Sequence, residues 1–284
     1  RLPKAFTAVL VGSGLAVSGL LMQTLFRNPL AGPYVLGLSS GASLGVAIVI
    51  MGASLFGGMA SFILLSKWSL VIASSLGSLL VLLAVILAAS RLKDTMALLI
   101  IGLMFASLTS AVVSVFAYFS PAADLQKYIF WSFGSLGDLA WSEVLILGIF
   151  WFLGILLSIF CIKNLNSLLL GEQYAKSMGV AINKNRFLVI ISTSLLAGSI
   201  TAFAGPIAFI GLAVPHLVKQ IIPTNNHLIL LPAVIFGGAI LMLICDSIAQ
   251  LPGSEYTLPI NAITSIIGAP VVIWLLVRKQ KFIF

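Results

Sequence analysis

Long apolar stretches fill most of the chain, and short charged or turn-forming segments separate them. Most of these stretches can supply the roughly 20 residues of helix that cross a bilayer core. Turn-forming residues at 28–33 and 204–206 subdivide the two longest stretches. Because lipid leaves open strand edges unsatisfied, we predict nine helical spans. They lie near Ala5–Phe26, Tyr34–Met51, Lys67–Ser90, Thr95–Phe119, Trp141–Ile162, Phe187–Phe203, Ile207–Ile221, His227–Ala249 and Leu258–Arg278.

Two polar segments differ from the short turns. Residues 120–141 are too polar to span and rich in aromatic side chains, so they predict a short extracytoplasmic helix or loop at the membrane interface. Residues 164–185 form the longest loop on the opposite side, with a helical pattern near Asn166–Met178 that ends at Gly179. A charged, helical loop of this kind favours contact with a partner protein.

The distribution of basic residues predicts the orientation. With alternating spans, eleven Lys and Arg residues fall on one side of the membrane, and four fall on the other, namely Arg1, Lys4, Lys67 and Lys127. The side richer in Lys and Arg is the cytoplasmic one. This places Arg1 outside and Phe284 inside. The odd number of spans leads us to expect one further helix on the N-terminal side.

The composition indicates a membrane protein and excludes other classes. Hydrophobic residues make up 61% of the 284 residues and charged residues only 8%, with a mean hydropathy of +1.20. A soluble domain carries about 25% charged residues, so this chain cannot cover a water-facing surface of its size. The formal net charge of +8 therefore indicates cationic loops beside anionic lipid, and not a nucleic-acid binder. We expect an all-α, polytopic integral membrane helical bundle, with residues 1–284 in a single transmembrane domain.

The sequence has few groups that could carry out a reaction. It contains seven carboxylates and two histidines, without the His and Glu spacing of a zinc protease and without a phosphate-binding G-x-x-x-x-G-K-[ST] motif. We therefore predict no catalytic residue, no metal site and no cofactor in this chain, so its energy source is a partner or an ion gradient. Asp246, late in a span, is a candidate for ion coupling. An ion-coupled secondary transporter and an intramembrane enzyme are the alternatives to a partner-driven transporter.

Small and basic residues indicate two contact surfaces. Gly37, Gly41 and Gly45 lie four residues apart, on one face of a predicted helix, where small side chains let two helices pack closely. This packing seam is either static or moving. Arg1 and Lys4 lie at the outer mouth, where they either snorkel at the interface or dock acidic residues of a soluble outer partner.

Several motifs occur in the order and spacing of a known permease family. They are Arg1-Leu-Pro-Lys4, Phe26-Arg-Asn-Pro-Leu-Ala31, Leu36-Gly-Leu-Ser-Ser-Gly-Ala42, Leu170-Gly-Glu172, the run from Ala204 to His216, Leu258-Pro-Ile260 and Gly268-Ala-Pro270. Over nearly its whole length the sequence resembles the FecCD-like permease subunits of type II ABC importers, which take up iron–siderophores, haem and vitamin B12. The resemblance implies the type II permease fold, with ten helices per subunit.

The resemblance also implies roles for particular residues. Arg1 and Lys4 match basic residues that dock the substrate-binding protein, although Lys4 replaces an Arg and loses its bidentate geometry. Asp94 and Thr95 occupy the position of the cytoplasmic gate, where Asp94 departs from the small polar residues of the vitamin B12 permease. The coupling loop that sits in a cleft of the ATPase subunit corresponds to residues 164–185, with the matching positions Gly171, Glu172, Ala175 and Gly179.

The expected function follows from this resemblance. The chain is expected to be the permease subunit of an importer for an iron–siderophore complex, haem or cobalamin in a prokaryotic cell membrane, with no enzymatic activity of its own. The expected partners are a second permease copy, two ABC ATPase subunits that bind ATP and Mg²⁺, an extracytoplasmic substrate-binding protein and membrane lipid, but no nucleic acid. The identity of the ligand stays open, as does the choice between homodimer and heterodimer.

Overall fold

The computed structural model describes residues 1–52, 66–91, 95–250 and 257–277. Over these ranges the chain consists of eleven helices, without strands, joined by turns and loops. A 3₁₀ turn at Pro33–Leu36 precedes the second helix, and a π-helical turn at Ser194–Gly198 interrupts the eighth. In chain order the helices are α1 (Leu2–Phe26), α2 (Leu38–Gly52), α3 (Lys67–Arg91), α4 (Thr95–Phe119), α5 (Ala122–Ser132), α6 (Trp141–Leu168), α7 (Glu172–Ser177), α8 (Ile182–Ala204), α9 (Ile210–Ile221), α10 (His227–Ala249) and α11 (Ile260–Val277).

The described helices form a polytopic membrane bundle. Six of them, α1, α3, α4, α6, α8 and α10, are long and apolar enough to cross a membrane. Helices α2 and α11 are shorter apolar helices, and α9 has only 12 residues. The total of nine crossings therefore stays a prediction. Helices α4 and α10 begin and end at the predicted residues, because charged or turn-forming residues bound both apolar runs.

Helix α1 is the centre of this bundle. Every residue from 11 to 26 is buried, and the helix packs on α6, α8, α9 and α10. It runs antiparallel to α10, since Thr24 hydrogen-bonds His227 at one end and Lys4 pairs with Asp246 at the other. A helix that is apolar on all sides and enclosed by four others is an internal span, in contrast to α4, of whose most apolar segment only 11% is buried within this chain.

Glycines let α1 approach its neighbours until the backbones touch. A methyl group on Gly12 would overlap the carbonyl oxygen of Gly238 in α10, and one on Gly19 would overlap that of Gly211 in α9. Lipid tails are as apolar as the helices, so close van der Waals contact takes the place of the hydrophobic drive that packs soluble proteins. These glycine pairs therefore set the distances between α1, α9 and α10.

A second close contact joins α2 to α3. Gly41 and Gly45 lie on the face of α2 that packs against Gly77 and Ala73 of α3. Gly37 does not lie on this face, because it precedes α2 and ends the 3₁₀ turn with a φ of 75°. The prediction that all three glycines share one helix face is therefore wrong for Gly37. Its left-handed backbone conformation favours glycine, and a Cβ there would also lie 3.0 Å from Val81 Cγ1, so Gly37 still packs closely against α3 from outside the helix.

The polar segments on the two sides also differ from the predicted boundaries. Helix α6 continues to Leu168, beyond the predicted end at Ile162, and within the predicted cytoplasmic loop α7 forms a separate short helix before α8 begins at Ile182. The helix predicted near Asn166–Met178 is divided because Gly171 has a φ of 111°, which no α-helix accommodates. On the outer side, α5 lies within the predicted 120–141 segment.

The chain leaves helical structure between α8 and α9, in the interior of the bundle. Ile200, one turn before the break, lies against Gly14 of α1, and Gly211, just after it, lies against Gly19. Residues 205–209 therefore join two helices at about the middle of α1. Phe209 adopts a left-handed conformation with a φ of 66°, and its Cβ packs where Gly268 of α11 has no side chain.

Candidate functional site

The ends of α1 and α10 that are predicted to lie outside the cell form the first candidate site. Lys4 Nζ lies 3.0 Å from Asp246 Oδ1, and Gln250 Nε2 donates a hydrogen bond of 2.8 Å to Asp246 Oδ2. The Lys4 side chain is 24% exposed, and Arg1 is exposed at the start of the chain. Asp246, considered for ion coupling, is thus held by two outer side chains. The two residues predicted to dock a binding protein lie together at this end, and their role stays a prediction.

A second ion pair fixes the outer ends of α3 and α6. Lys67 Nζ donates to Glu143 Oε2 at 2.7 Å and also to the carbonyl oxygen of Asp138. Glu143 is buried, and the same oxygen accepts the backbone N–H of Ala140 at 2.8 Å. Because a buried carboxylate needs both a cation and hydrogen bonds, Lys67 anchors the start of α6 to the start of α3.

The outer segment around α5 reaches down onto the interior of the bundle. Burial raises the pKa of Tyr128, and a hydrogen bond with Ser43 of α2 offsets part of this rise. Gly134, with a φ of 71°, lies against Ala204, and the backbone N–H of Ser135 donates to the Ala204 carbonyl at 2.9 Å. This segment therefore closes the outer end of the break between α8 and α9.

The break at 205–209 has its backbone groups satisfied by other helices. The N–H of Ala208 donates to Asn261 Oδ1 of α11 at 3.0 Å, and the N–H of Ile207 donates to the Tyr34 hydroxyl at 3.4 Å. Non-helical backbone at membrane depth persists only where protein or a water-filled cavity surrounds it. The Asn261 and Tyr34 side chains accept these backbone hydrogen bonds within the protein. Nothing in the sequence alone singles out either residue.

The structure brings the four predicted coupling residues together in one short element at the cytoplasmic end. Gly171 precedes α7, and a Cβ there would lie 3.9 Å from a guanidinium nitrogen of Arg27 at the end of α1. Ala175 is fully buried and seats α7 against its neighbours. Gly179, with a φ of 83°, ends α7 with hydrogen bonds from Gly179 N–H to Lys176 and from Val180 N–H to Ala175, which is a Schellman motif.

Glu172, the fourth coupling residue, begins α7 and contacts α8. Its Oε1 accepts a hydrogen bond of 3.4 Å from Nη2 of Arg186, whose side chain is only 4% exposed. Sequence reasoning identified Glu172 through the resemblance but gave Arg186 no role beyond its positive charge. Only the fold brings them together, because residues 14 apart on two helices have no periodic relation.

A buried polar cluster links the cytoplasmic ends of α1, α6 and α10. His227 lies with one ring nitrogen 2.8 Å from Thr24 Oγ1 and the other 2.7 Å from Asn166 Oδ1. The same Asn166 oxygen accepts the His227 backbone N–H at 2.9 Å, and the Asn166 amide donates to Asn226 Oδ1 at 2.9 Å. Because α7 follows α6 within four residues, this cluster ties the segment that carries α7 to the central helix.

The predicted cytoplasmic gate falls at an edge of the described structure. Asp94 lies outside the described residues, and Thr95 begins α4. Helix α4 itself is highly apolar, yet only 11% of its most apolar segment is buried within this chain. A helix with so little internal burial faces lipid or another protein along most of its length.

Comparison with known sequences identifies relatives of nearly full length. The sequence model of the FecCD transport family matches residues 1–278. The vitamin B12 import system permease protein BtuC of Klebsiella pneumoniae subsp. pneumoniae is 36% identical over 286 residues, covering 99% of this chain and 82% of that protein. The protein of the same name from Salmonella paratyphi A is 35% identical over 283 residues, covering 99% and 83%.

Comparison with solved structures agrees with the sequence relatives. A metal-chelate type ABC transporter in an inward-facing conformation matches with a TM-score of 0.86 and 33% identity, covering 99% of this chain and 87% of that one. PsaBC from Streptococcus pneumoniae in complex with Fab matches with a TM-score of 0.56 and 18% identity, covering 96% and 89%, which shows similarity of fold alone. The chain therefore belongs to the FecCD transport family and is a multi-span membrane permease.

Proposed function

We propose that this chain is the membrane subunit of an ATP-driven importer for cobalamin or a metal chelate, such as an iron–siderophore complex or haem. The observation that carries the proposal is α7, a short cytoplasmic helix between two spans whose matching residues in the family contact an ATPase. Ala175 holds α7 against the bundle, so a push on α7 reaches α6 and α8 directly. The names of the relatives, vitamin B12 permease and metal-chelate transporter, support the substrate class.

The exposed surface of α4 supports a second permease copy. Large apolar side chains recur along α4 with little cover from the same chain, ending in Tyr118 and Phe119, which are 84% and 79% exposed. A second copy facing this helix would enclose a pathway at the dimer axis. Weak, distributed contacts along such a pathway suit a bulky ligand that must be released as well as accepted.

An ion-coupled secondary transporter is the alternative function, and the geometry around Asp246 favours it less. A carrier of that class uses ionisable groups near the middle of the membrane, arranged as a relay. Asp246 lies instead near the outer end of α10, with its charge compensated by Lys4. The described contacts of this acid therefore fit an ion pair that joins two helices.

Uptake into proteoliposomes tests the proposal. Vesicles containing the permease and its cognate ATPase, with the binding protein outside and ATP inside, should accumulate radiolabelled cobalamin or a ferric siderophore. Matched vesicles without the ATPase, or with a hydrolysis-deficient ATPase, should show only background uptake. Uptake driven by a proton or sodium gradient in the absence of the ATPase would overturn the proposal in favour of the secondary transporter.

The outer basic residues provide an independent test of the partner on that side. Arg1→Glu should weaken association with the binding protein, because it replaces an exposed attractive charge with a repulsive one. The effect should be largest at low ionic strength and should shrink as salt screens exposed charges. A dissociation constant that is unchanged at low salt would indicate that Arg1 only anchors α1 at the membrane interface.

A further inference from the structure

A polar cavity of about 410 Å³ lies between α7 and the first turn of α8. Its lining comes from the end of the coupling loop and from both helices: Glu172, Lys176, Val180, Ala181, Asn183, Lys184, Arg186 and Ile182. Sequence reasoning did not predict this cavity, because its walls are brought together by the turn at Gly179.

The charges of the cavity favour an anion. Three of its lining side chains, Lys176, Lys184 and Arg186, are cationic, and one, Glu172, is anionic. Arg186 is almost fully buried, so its charge acts in surroundings where screening by water is weak. The backbone adds to this preference, because α8 begins here and its N-cap residue Ala181 has no side chain that could accept the first N–H groups.

An apolar stripe lies beside the cavity. Tyr174 and Met178 lie four residues apart on one side of α7 and its C-cap, and they are 55% and 58% exposed. Leu170, which is 63% exposed, precedes the turn at Gly171 and adds a third exposed apolar side chain beside the helix. An exposed apolar stripe next to a charged pocket has the composition of a protein–protein interface, with apolar contact at the centre and polar groups at the rim.

The position of this surface favours a protein partner over lipid. The apolar part of α6 ends before Lys163, and the helix continues to Leu168, which is roughly 8 Å further along its axis. The headgroup layer on one side of a bilayer is only about 5–8 Å thick. Helix α7 follows this extension, so the stripe and the cavity lie at or beyond the cytoplasmic edge of the headgroups.

We propose that the cavity between α7 and α8 receives a carboxylate side chain of the ATPase partner while Leu170, Tyr174 and Met178 pack on an apolar part of the same subunit. This inference rests on the proposed function, since it takes the partner to be the ATPase. Glu172 acts as a positioning residue that orients the Arg186 guanidinium, which has five N–H donors in a planar fork and binds carboxylates in a defined geometry. Two contacts of different chemistry then hold α7 in one rotational orientation on the ATPase.

The experiment measures association between the full-length permease in nanodiscs and its purified cognate ATPase. Lys184→Glu reverses an exposed charge of the cavity and should raise the dissociation constant about tenfold at low ionic strength, with a smaller effect at high salt. Lys163→Glu is the matched control, because Lys163 is an exposed cytoplasmic lysine outside the cavity and the change in net charge is the same. The control should bind nearly as wild type.

A charge swap identifies the partner group. Replacing each surface Asp or Glu of the ATPase by Lys in turn should yield one variant that restores binding to Lys184→Glu.

Equal binding of the Lys184→Glu and Lys163→Glu permeases would overturn the inference while leaving the proposed function intact. Failure of the wild-type permease to bind any ATPase would count against the proposed function itself. A further outcome concerns lipid. If Lys184→Glu weakened ATPase binding only in nanodiscs that contain phosphatidylglycerol, and bound the ATPase as wild type in neutral lipid, the cavity would be assigned to a lipid headgroup. That result would also overturn the inference.

Discussion

The contact between α2 and α3 gives a sharp prediction for Gly41→Ala. Gly41 of α2 faces Gly77 of α3, and α2 packs against both α3 and α4. An alanine normally stabilises a helix relative to glycine by about 1 kcal/mol. At this position we expect the opposite effect, because the added methyl group meets the backbone of the neighbouring helix.

The size of the effect follows from the geometry. A Cβ on Gly41 would lie 2.5 Å from the carbonyl oxygen of Gly77 and 2.7 Å from Cγ2 of Val81, whereas real Cβ contacts are essentially never below 3.0 Å. The obstacle is backbone, which cannot rotate away, so the two helices must separate by about half an ångström. Overpacking of this kind costs about 1–3 kcal/mol. For a chain of this size we expect the unfolding midpoint to fall by roughly 2–4 °C for each kcal/mol of unfolding free energy that is lost.

Gly52→Ala is the matched control, because it makes the same substitution in the same helix, where none of the described residues lies within 4 Å of the added Cβ. The assay is thermal unfolding of both variants in the same detergent, followed by loss of the monodisperse peak in size-exclusion chromatography. The control should match or slightly exceed the wild type, and Gly41→Ala should unfold earlier. Equal midpoints for the two variants would refute the claim that backbone contact holds α2 against α3.

The buried polar contacts lead to two further predictions. His227→Leu should lower the unfolding midpoint, because the ring hydrogen bonds to the buried Thr24 hydroxyl and to Asn166 are lost, each contributing about 0.5–1.5 kcal/mol. An unchanged midpoint in the same assay would contradict this. Lys67→Met should destabilise by leaving the buried Glu143 without its cation, and Glu143→Met added to it should recover part of the loss. Strictly additive effects in that double-mutant cycle would show that the two residues do not interact.

The positions of the helices could be predicted where local sequence decides them. Helices α4 and α10 have the predicted bounds because charges and turn-forming residues mark both ends of an apolar run. The end of α6 was missed for a related reason. Its backbone hydrogen bonding continues to Leu168 although the residues after Ile162 are mostly polar or charged, so the hydropathy pattern ends before the helix does.

The candidate site was predictable only in part. The residues predicted for the coupling loop come from their resemblance to a family motif, and the structure gathers them at one short helix, while their role stays a prediction. The Lys4–Asp246 pair could not be predicted, because each residue alone has the pattern of an interfacial charge. The Arg186 contact and the cavity beside it depend on the angle between α7 and α8, and the turn between these helices contains Gly179 with its positive φ.

By itself, the sequence determined that this protein is a multi-span helical bundle, and it predicted a loop suited to a partner on the cytoplasmic side. That information is local, since the transfer of an apolar segment into lipid depends on the composition of that segment. The tertiary structure alone decided which helices touch, where the chain breaks between α8 and α9, and which charges compensate one another. Those outcomes depend on contacts such as Gly19 with Gly211, in which residues far apart in the chain meet at a distance that only packing determines.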